Sequence, residues 1–496
     1  MLRPFSPIQN RKGRTALLAW SFLCAFAVLL ICSKSSPLYP MNDWVDVNCF
    51  FTVGRGIVQG KMPYLDMYEQ KGPVLYLLFA LASLISGDSF LGVFVLEVLC
   101  FGLFLYESVQ IAALYITRRR ELLPLLPPLL ALTIGVSPAF SHGSSAEELF
   151  LPAAALFLRL ALTALEARRP LKRSESFFCG VLAGLALWTK YTFCGIFAGD
   201  AAALLLWYLI TGNGKRLWEP LAFGLLGMLT VTAPILLWFW FRGALPSLWE
   251  AYFVNNLTAY ASGTGARHAP PLTALRNNWM WSLPAAVGAL WLLLQGKKRW
   301  GQTLLVLCAA AALGVFTYAN GRTYPYYALI LSVFSGLGWA AVLWLFEQPF
   351  RNEPTAVHKV AAALISLVLL AGSGAAAYRY SGNAYLMAYS KEDMPQYRFA
   401  KIIQQAEDPS LLNLGFLDGG FYLAAGVEPN SRFFCTFNLS LRDQDAEHAA
   451  LTRAGAVQFV VVRGNTSPGK NYIKVDQCSF PFEGRTWTYT LYKRVE

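Results

Sequence analysis

Apolar residues in this chain do not alternate with polar ones over most of its length; they gather in long blocks separated by short charged loops. A helix of about 20 apolar residues crosses a hydrocarbon core of about 30 Å. By that measure the pattern predicts eleven spans, at roughly 15–33, 89–116, 122–140, 148–167, 175–190, 193–211, 218–241, 277–295, 301–318, 325–346 and 359–377. One further block, Val74 to Ser86, has only 13 residues. Runs of about 10–14 are more often re-entrant or interfacial.

The basic loops decide how that short block is placed. Lys and Arg cluster at Arg11, Lys12 and Arg14, at Arg118 to Arg120, at Arg168, Arg169, Lys172 and Arg173, at Lys215 and Arg216, and at Lys297 to Arg299. Such clusters mark the cytoplasmic ends of spans. If 74–86 crossed, Arg118 to Arg120 and the later clusters would face outward. If it lies at the outer interface, every basic loop falls inside. The second arrangement is expected, with a cytoplasmic N-terminus and an extracytoplasmic C-terminus. The outer loops are then 34–88, 242–276, 141–147 and 319–324. The inner side shows basic clusters and few carboxylates. The weakest boundary is at Lys190, Tyr191 and Thr192, where two spans meet with almost no loop.

Residues 378–496 follow another pattern. They are polar and mixed, with short β-like runs at Leu411 to Phe416, Gln458 to Val462 and Thr486 to Tyr492, and a helical stretch at 443–454. The expected fold is a polytopic α-helical membrane domain, 1–377, followed by a small extracytoplasmic α/β domain, 378–496.

Composition agrees. Of 496 residues, 56% are hydrophobic and 14% charged, against about 45–50% and about 25% in soluble domains. A soluble protein is excluded. The net charge of +12 sits in the loop clusters, so it points to anionic lipid heads and not to nucleic acid. The first span has a basic flank but no small-residue cleavage site after Ser33, and reads as retained. Six of nine cysteines lie in spans as small buried hydrophobes. Cys49, Cys435 and Cys478 lie outside them. A Cys435–Cys478 bridge is one option if that side is oxidising, and spacing alone does not select it. No CxxC or His/Cys metal pattern occurs.

The densest polar stretch among the spans is Asp43 to Pro73. A loop that only joined two helices would be a short polar turn; this one carries Asp43, Asp46, Arg55, Asp66, Glu69 and Lys71 among aromatics. Ionisable groups at membrane depth are costly and so are functional candidates. From Asp46 to Val58 apolar residues recur near helical spacing, which predicts an amphipathic helix lying on the bilayer with Asp46 at its start. Asp46 is the leading catalytic candidate; Asp46 or Asp43 could equally serve as the helix cap. Lys71 stands just before a Gly-Pro break and reads as a cation for phosphate or as a snorkelling lysine; Glu69 could simply pair with it. Glu147 and Glu148 open an apolar helix, where the dipole favours acids, and form a second acidic wall beside His142. Lys190 ends a span. Loop 242–276 adds Asn255, Asn256, Tyr260, Arg267 and His268, and loop 319–324 adds Asn320 and Arg322, flanked by Tyr324, Tyr326 and Tyr327.

These residues carry a family pattern. Asp46 after the first span, Gly60-x-x-Pro63-Tyr64, Lys71-Gly72-Pro73 entering an interfacial helix, Thr189-Lys190 and Arg322-x-Tyr324-Pro325-Tyr326-Tyr327 resemble the GT-C glycosyltransferases. The branches it resembles are the protein O-mannosyltransferases, the aminoarabinose transferases and the bacterial lipopolysaccharide-core transferases. The resemblance covers about residues 10–345. It implies a polyprenyl-phosphate sugar as donor and transfer on the extracytoplasmic side to a glycan, lipid or protein acceptor. By this resemblance Asp46 acts on the acceptor hydroxyl, with Glu147 or Glu148 as the second acidic position. Lys71, Lys190 or Arg322 holds the leaving phosphate. Asp43, Glu69, Tyr64, His142, Tyr326 and Arg267 are expected to line the substrates, and a divalent Mg or Mn ion could bridge Asp46 and the donor phosphate. The rival readings are a transporter or flippase of lipid-linked sugars and a non-catalytic glycan-binding envelope protein. Charges gathered at one face, with no half-repeat, favour the enzyme.

Overall fold

The structure is a computed structural model, and it describes residues 10–210, 212, 218–259, 271–319, 321–350 and 352–495. The eleven expected spans all fall on helices. Eight helices among the described residues are long and apolar enough to cross a membrane: Arg11–Cys32, Leu91–Ala112, Ala146–Glu166, Tyr191–Ile210, Trp218–Phe241, Trp300–Tyr318, Pro325–Glu347 and Ala356–Tyr380. The other three expected segments form shorter helices. Residues 120–135 are broken into a 3-10 turn, Arg120–Leu125, and a helix, Leu126–Gly135, because Pro124, Pro127 and Pro128 cannot donate to a continuous ladder. The remaining two are Arg173–Thr189 and Trp279–Leu294. The helices up to Phe241 are called α1 (Arg11–Cys32), α2 (Val45–Val58), α3 (Pro73–Ile85), α4 (Leu91–Ala112), α5 (Leu126–Gly135), α6 (Ala146–Glu166), α7 (Arg173–Thr189), α8 (Cys194–Ile210) and α9 (Trp218–Phe241).

The chain divides into two compact units. The first comprises Met1–Ser33, Leu96–Pro234 and Ala266–Ala384. Its helices approach closely at small residues. A Cβ on Gly180 would lie 1.8 Å from the Gly224 carbonyl oxygen, and one on Gly199 would lie 2.3 Å from that of Cys308. Gly180-x-x-x-Gly184 on α7 thus faces Gly224 and Met228 on α9, and Gly195-x-x-x-Gly199 on α8 faces Cys308 to Leu313. Lipid gives apolar helices no hydrophobic reason to associate, so close backbone packing at glycine does that work. The basic loops of this unit hold more carboxylate than the sequence reading allowed. Arg118 pairs with Glu347 at 3.1 Å, Arg169 with Glu175 at 2.6 Å, Arg299 with Glu166 at 2.9 Å, and Arg119 with Glu121.

The second unit comprises Lys34–Val95, Ile235–Gly265 and Tyr385–Glu496. Here α2 packs on α3. A Cβ on Gly54 would meet the Phe79 and Ala80 backbone at 2.7 Å, and the Phe50 and Phe79 rings sit edge to face 5.6 Å apart. The α3 helix buries Leu75, Tyr76 and Phe79 and leaves Leu81, Leu84 and Ile85 exposed. A four-stranded sheet of order β1-β2-β4-β3 is formed by β1 (Leu411–Leu414), β2 (Phe459–Arg463), β3 (Tyr472–Phe482) and β4 (Arg485–Arg494). β1 and β2 run parallel, and the other pairs are antiparallel. The β3–β4 hairpin turns at Glu483 and Gly484, both at positive φ, as tight hairpins favour. The helix expected at 443–454 is Arg442–Ala454.

Candidate active site

In the first unit the site is built on the start of α6. The loop before it is contorted: Ser141, Gly143 and Ser144 all have positive φ, at 54°, 84° and 62°. Two serines in a region that L residues rarely adopt are held there by their surroundings. Asn383 donates to the Ser141 carbonyl at 2.8 Å and to the Cys32 carbonyl at 2.6 Å. A Cβ on Gly143 would lie 2.6 Å from both Glu97 Oε1 and Ser33 Oγ, so only glycine fits. The contortion turns the Ser144 N–H onto two buried carboxylates, Glu97 Oε1 at 2.7 Å and Glu148 Oε2 at 2.8 Å. Ser33 donates to the other oxygen of Glu97 at 2.7 Å. Ser145 caps α6 by accepting the Glu148 N–H at 3.1 Å.

Glu147 and Glu148 therefore face different groups, both fully buried. Glu148 turns to Glu97, whereas Glu147 forms an ion pair with Lys190. Lys190 is the extended residue between α7 and the 3-10 turn Tyr191–Phe193 that leads into α8. The near-absence of a loop there is what aims its side chain. Its Nζ lies 3.7 Å from the Tyr327 ring centre and 5.9 Å from that of Tyr326, a cation–π arrangement. Tyr324, Tyr326 and Tyr327 pack on one another at 5.0–5.7 Å. Arg322 is buried just before them, and His142 lies half-buried in the contorted loop.

A cavity of about 870 Å³ lies in the same unit. Its walls include Leu275, Trp281, Ala286, Val306 and Leu331, and Tyr318 lies on its wall four residues before Arg322. Such a lining favours a hydrocarbon chain.

The second unit carries Asp46, Asp43, Glu69, Lys71 and Tyr64. Asp46 stands in the first turn of α2, half-buried, where the helix dipole favours a carboxylate. Neither aspartate caps the helix. Trp44 holds the cap position, its N–H donating to Asn42 Oδ1 at 3.0 Å, and Asp43 pairs with Lys34 at 2.5 Å, both buried. Nor does α2 show the free polar face expected of a helix lying on a bilayer. Residues 47–54 are buried all round, because residues of the C-terminal segment cover the side at Cys49, Thr52 and Arg55.

Glu69 and Lys71 do pair, loosely, at 3.9 Å. The Lys71 N–H donates to Glu69 Oε2 at 2.7 Å, and Tyr76 donates its hydroxyl to the same oxygen. Tyr64, fully buried at φ 66°, donates to the Lys71 carbonyl at 2.5 Å. Asn256 holds the preceding Gln70 carbonyl at 2.7 Å, and Asn255 donates to the Tyr68 hydroxyl at 3.2 Å. The Lys71 ammonium lies 5.5 Å from the Phe50 ring centre. Tyr260, Arg267, His268 and Asn320 lie outside the described residues.

Sequence reasoning missed Glu97, Lys34 and Asn383. The signal for Glu97 was available: a single carboxylate in the apolar run Leu91 to Leu105. Among the described residues no group of three or more His, Cys, Asp or Glu is set out to hold a metal ion.

No family model and no curated protein matches this chain. Solved structures do. The crystal structure of ArnT from Cupriavidus metallidurans bound to undecaprenyl phosphate superposes with a TM-score of 0.61 at 15% identity, over 97% of this chain and 98% of that one. The apo structure of the same protein gives 0.61 at 16% identity over the same shares. The fold is that of ArnT. ArnT is an aminoarabinose transferase of the GT-C class, so the architecture is the one the sequence motifs implied. It spans both the helical part and the C-terminal sheet.

Proposed function

We propose that this protein is an integral-membrane glycosyltransferase that takes a sugar from a polyprenyl-phosphate donor and transfers it, on the extracytoplasmic side, to a glycan, lipid or protein of the cell envelope. The observation that carries this reading is a shared fold, over nearly the whole chain, with a protein crystallised with undecaprenyl phosphate. The apolar cavity supports it by offering the prenyl chain a wall of hydrocarbon.

Glycosyl transfer from such a donor needs a base at the acceptor hydroxyl and positive charge at the departing phosphate. Asp46 is assigned the first role: it takes the hydroxyl proton as the acceptor oxygen attacks the anomeric carbon and the phosphate oxygen leaves. Lys71, Lys190 and Arg322 are assigned the second. Glu147 holds Lys190 in place, Tyr327 flanks it, and Glu69 and Tyr64 fix the loop that carries Lys71. Asp43, His142, Tyr326 and Arg267 are assigned to substrate contacts, and Glu148 to shaping the acidic wall. Transfer by direct displacement inverts the anomeric configuration.

The test is mass spectrometry of lipid-linked sugars and envelope glycans from cells with the wild-type protein, with Asp46→Asn, or with none. One lipid-linked sugar should accumulate, and one glycan should lose that sugar, in both deficient strains. A null strain that changes while Asp46→Asn does not would remove Asp46 from the chemistry.

A further inference from the structure

Three residues on one face of α2 meet the C-terminal segment of the same unit. Cys49, Thr52 and Arg55 are spaced three apart, so they line up along the helix. Thr52 donates to Asp418 Oδ2 at 2.6 Å, Arg55 pairs with Glu428, and Cys49 lies against Cys435 with the two Sγ atoms 3.9 Å apart. The first two contacts fix the helix against the segment and so hold the two sulfurs in register. Both thiols are buried, at 1% and 0% exposure. Cys478, the other partner open to Cys435 on an oxidising side, sits instead on β3, half-buried, opposite Tyr489.

We propose that Cys49 and Cys435 form a covalent modification site, a disulfide that ties the Asp46-bearing helix to the C-terminal segment. The proposal rests on the extracytoplasmic placement argued above, since disulfides persist in oxidising compartments. The two sulfurs must close from 3.9 Å to about 2.05 Å, a movement on the scale of a side-chain rotation. The chemistry is exchange with a disulfide donor, a thiol oxidase of the compartment. One cysteine thiolate attacks the donor and releases one donor thiol. The second thiolate then displaces the other donor thiol from the mixed disulfide. One S–S bond forms, one breaks, and two electrons and two protons leave with the reduced donor. Burial pushes both thiols upward in pKa, which makes them poor nucleophiles once packed. The bond therefore forms while α2 is docking, and afterwards is shielded from reductant.

The experiment is peptide mapping of the full-length protein from membranes, alkylated with N-ethylmaleimide before any reduction. A linked pair of peptides carrying Cys49 and Cys435, lost on reduction and in Cys49→Ala or Cys435→Ala but retained in Cys478→Ala, is expected. Reduction during unfolding should lower the melting temperature of the wild type by about 5 °C and leave Cys49→Ala unchanged. In parallel, purified reduced protein is unfolded, refolded and treated with diamide. Free thiols in membranes with a diamide-induced Cys49–Cys435 link would overturn the proposal and also the extracytoplasmic placement. A Cys435–Cys478 link, or no link under diamide, would overturn the pairing and leave the placement and the transferase reading standing.

Discussion

Glu97 and Glu148 accept a hydrogen bond from the same N–H, that of Ser144, at 2.7 and 2.8 Å. The two carboxylates come from different helices, and both are fully buried. The backbone between them is the strained loop 141–144, so the pair acts as the anchor of that loop. We predict that Glu97→Gln keeps the fold, since an amide oxygen can still accept from Ser144. Glu97→Ala should cost about 1–3 kcal/mol, because it leaves the Ser33 hydroxyl and weakens the hold on the Ser144 N–H. Thermal unfolding in detergent checks this; equal melting temperatures for the two variants would refute the anchoring role.

Lys190 and Glu147 are a buried ion pair, so removing either alone strands a charge. We predict that Lys190→Met loses about 3–5 kcal/mol of stability. The double variant Lys190→Met, Glu147→Gln should recover most of that loss while remaining inactive. A double variant with restored turnover would remove Lys190 from the phosphate role. The melting curve and turnover, read together, separate structure from chemistry.

Gly143 tests the loop directly. A methyl group there meets Glu97 Oε1 and Ser33 Oγ at 2.6 Å, at a φ of 84°. Gly143→Ala should cost about 1–3 kcal/mol and reduce turnover by displacing the start of α6. Gly212→Ala, also at positive φ but with nothing within 4 Å, should show only the smaller backbone penalty. Similar turnover in the two variants would detach the loop from the site.

Asp418 gives a pH signature. Burial raises its carboxyl from 3.8 to about 6. Between these values the folded protein keeps a proton that the unfolded chain releases. Its contribution to stability is therefore full below pH 3.8, falls as pH rises through 6, and is constant above. The loss amounts to about 3 kcal/mol. Asp418→Asn has no such group, and Thr52 can satisfy an amide as well as a carboxylate. The variant should gain on the wild type between pH 4 and 7, read as the difference in melting temperature. A constant difference across that range would sink the assignment.

Much of this arrangement was legible because it is local. The helical spacing from Asp46 to Val58 predicted α2 almost to the residue, the break at Lys190 was visible as two spans without a loop, and turn-flanked apolar runs marked β1, β2 and β4. Distance along the chain defeated the rest. The covered face of α2 depends on Asp418, Glu428 and Cys435, more than 360 residues away. No pattern within Asp43 to Pro73 can announce them. Asp43 could cap a helix by its residue type alone, and nothing in the local pattern marked its partner Lys34, nine residues earlier. β3 was missed because Tyr472 to Phe482 carries Lys, Asp, Gln and Ser on a strand at the edge of the sheet, where polar residues are tolerated.

The clasp on α2 also sets an order of events during synthesis. Cys49 leaves the ribosome 386 residues before its neighbour Cys435, so the helix bearing Asp46 must wait, through the insertion of nearly every membrane helix, for the surface it will rest on. A chain cut short anywhere before Asp418 would present its acidic first loop without that support. The late segment from Asp418 to Cys435 thus acts as an assembly checkpoint, one that withholds a finished reaction centre from incomplete molecules.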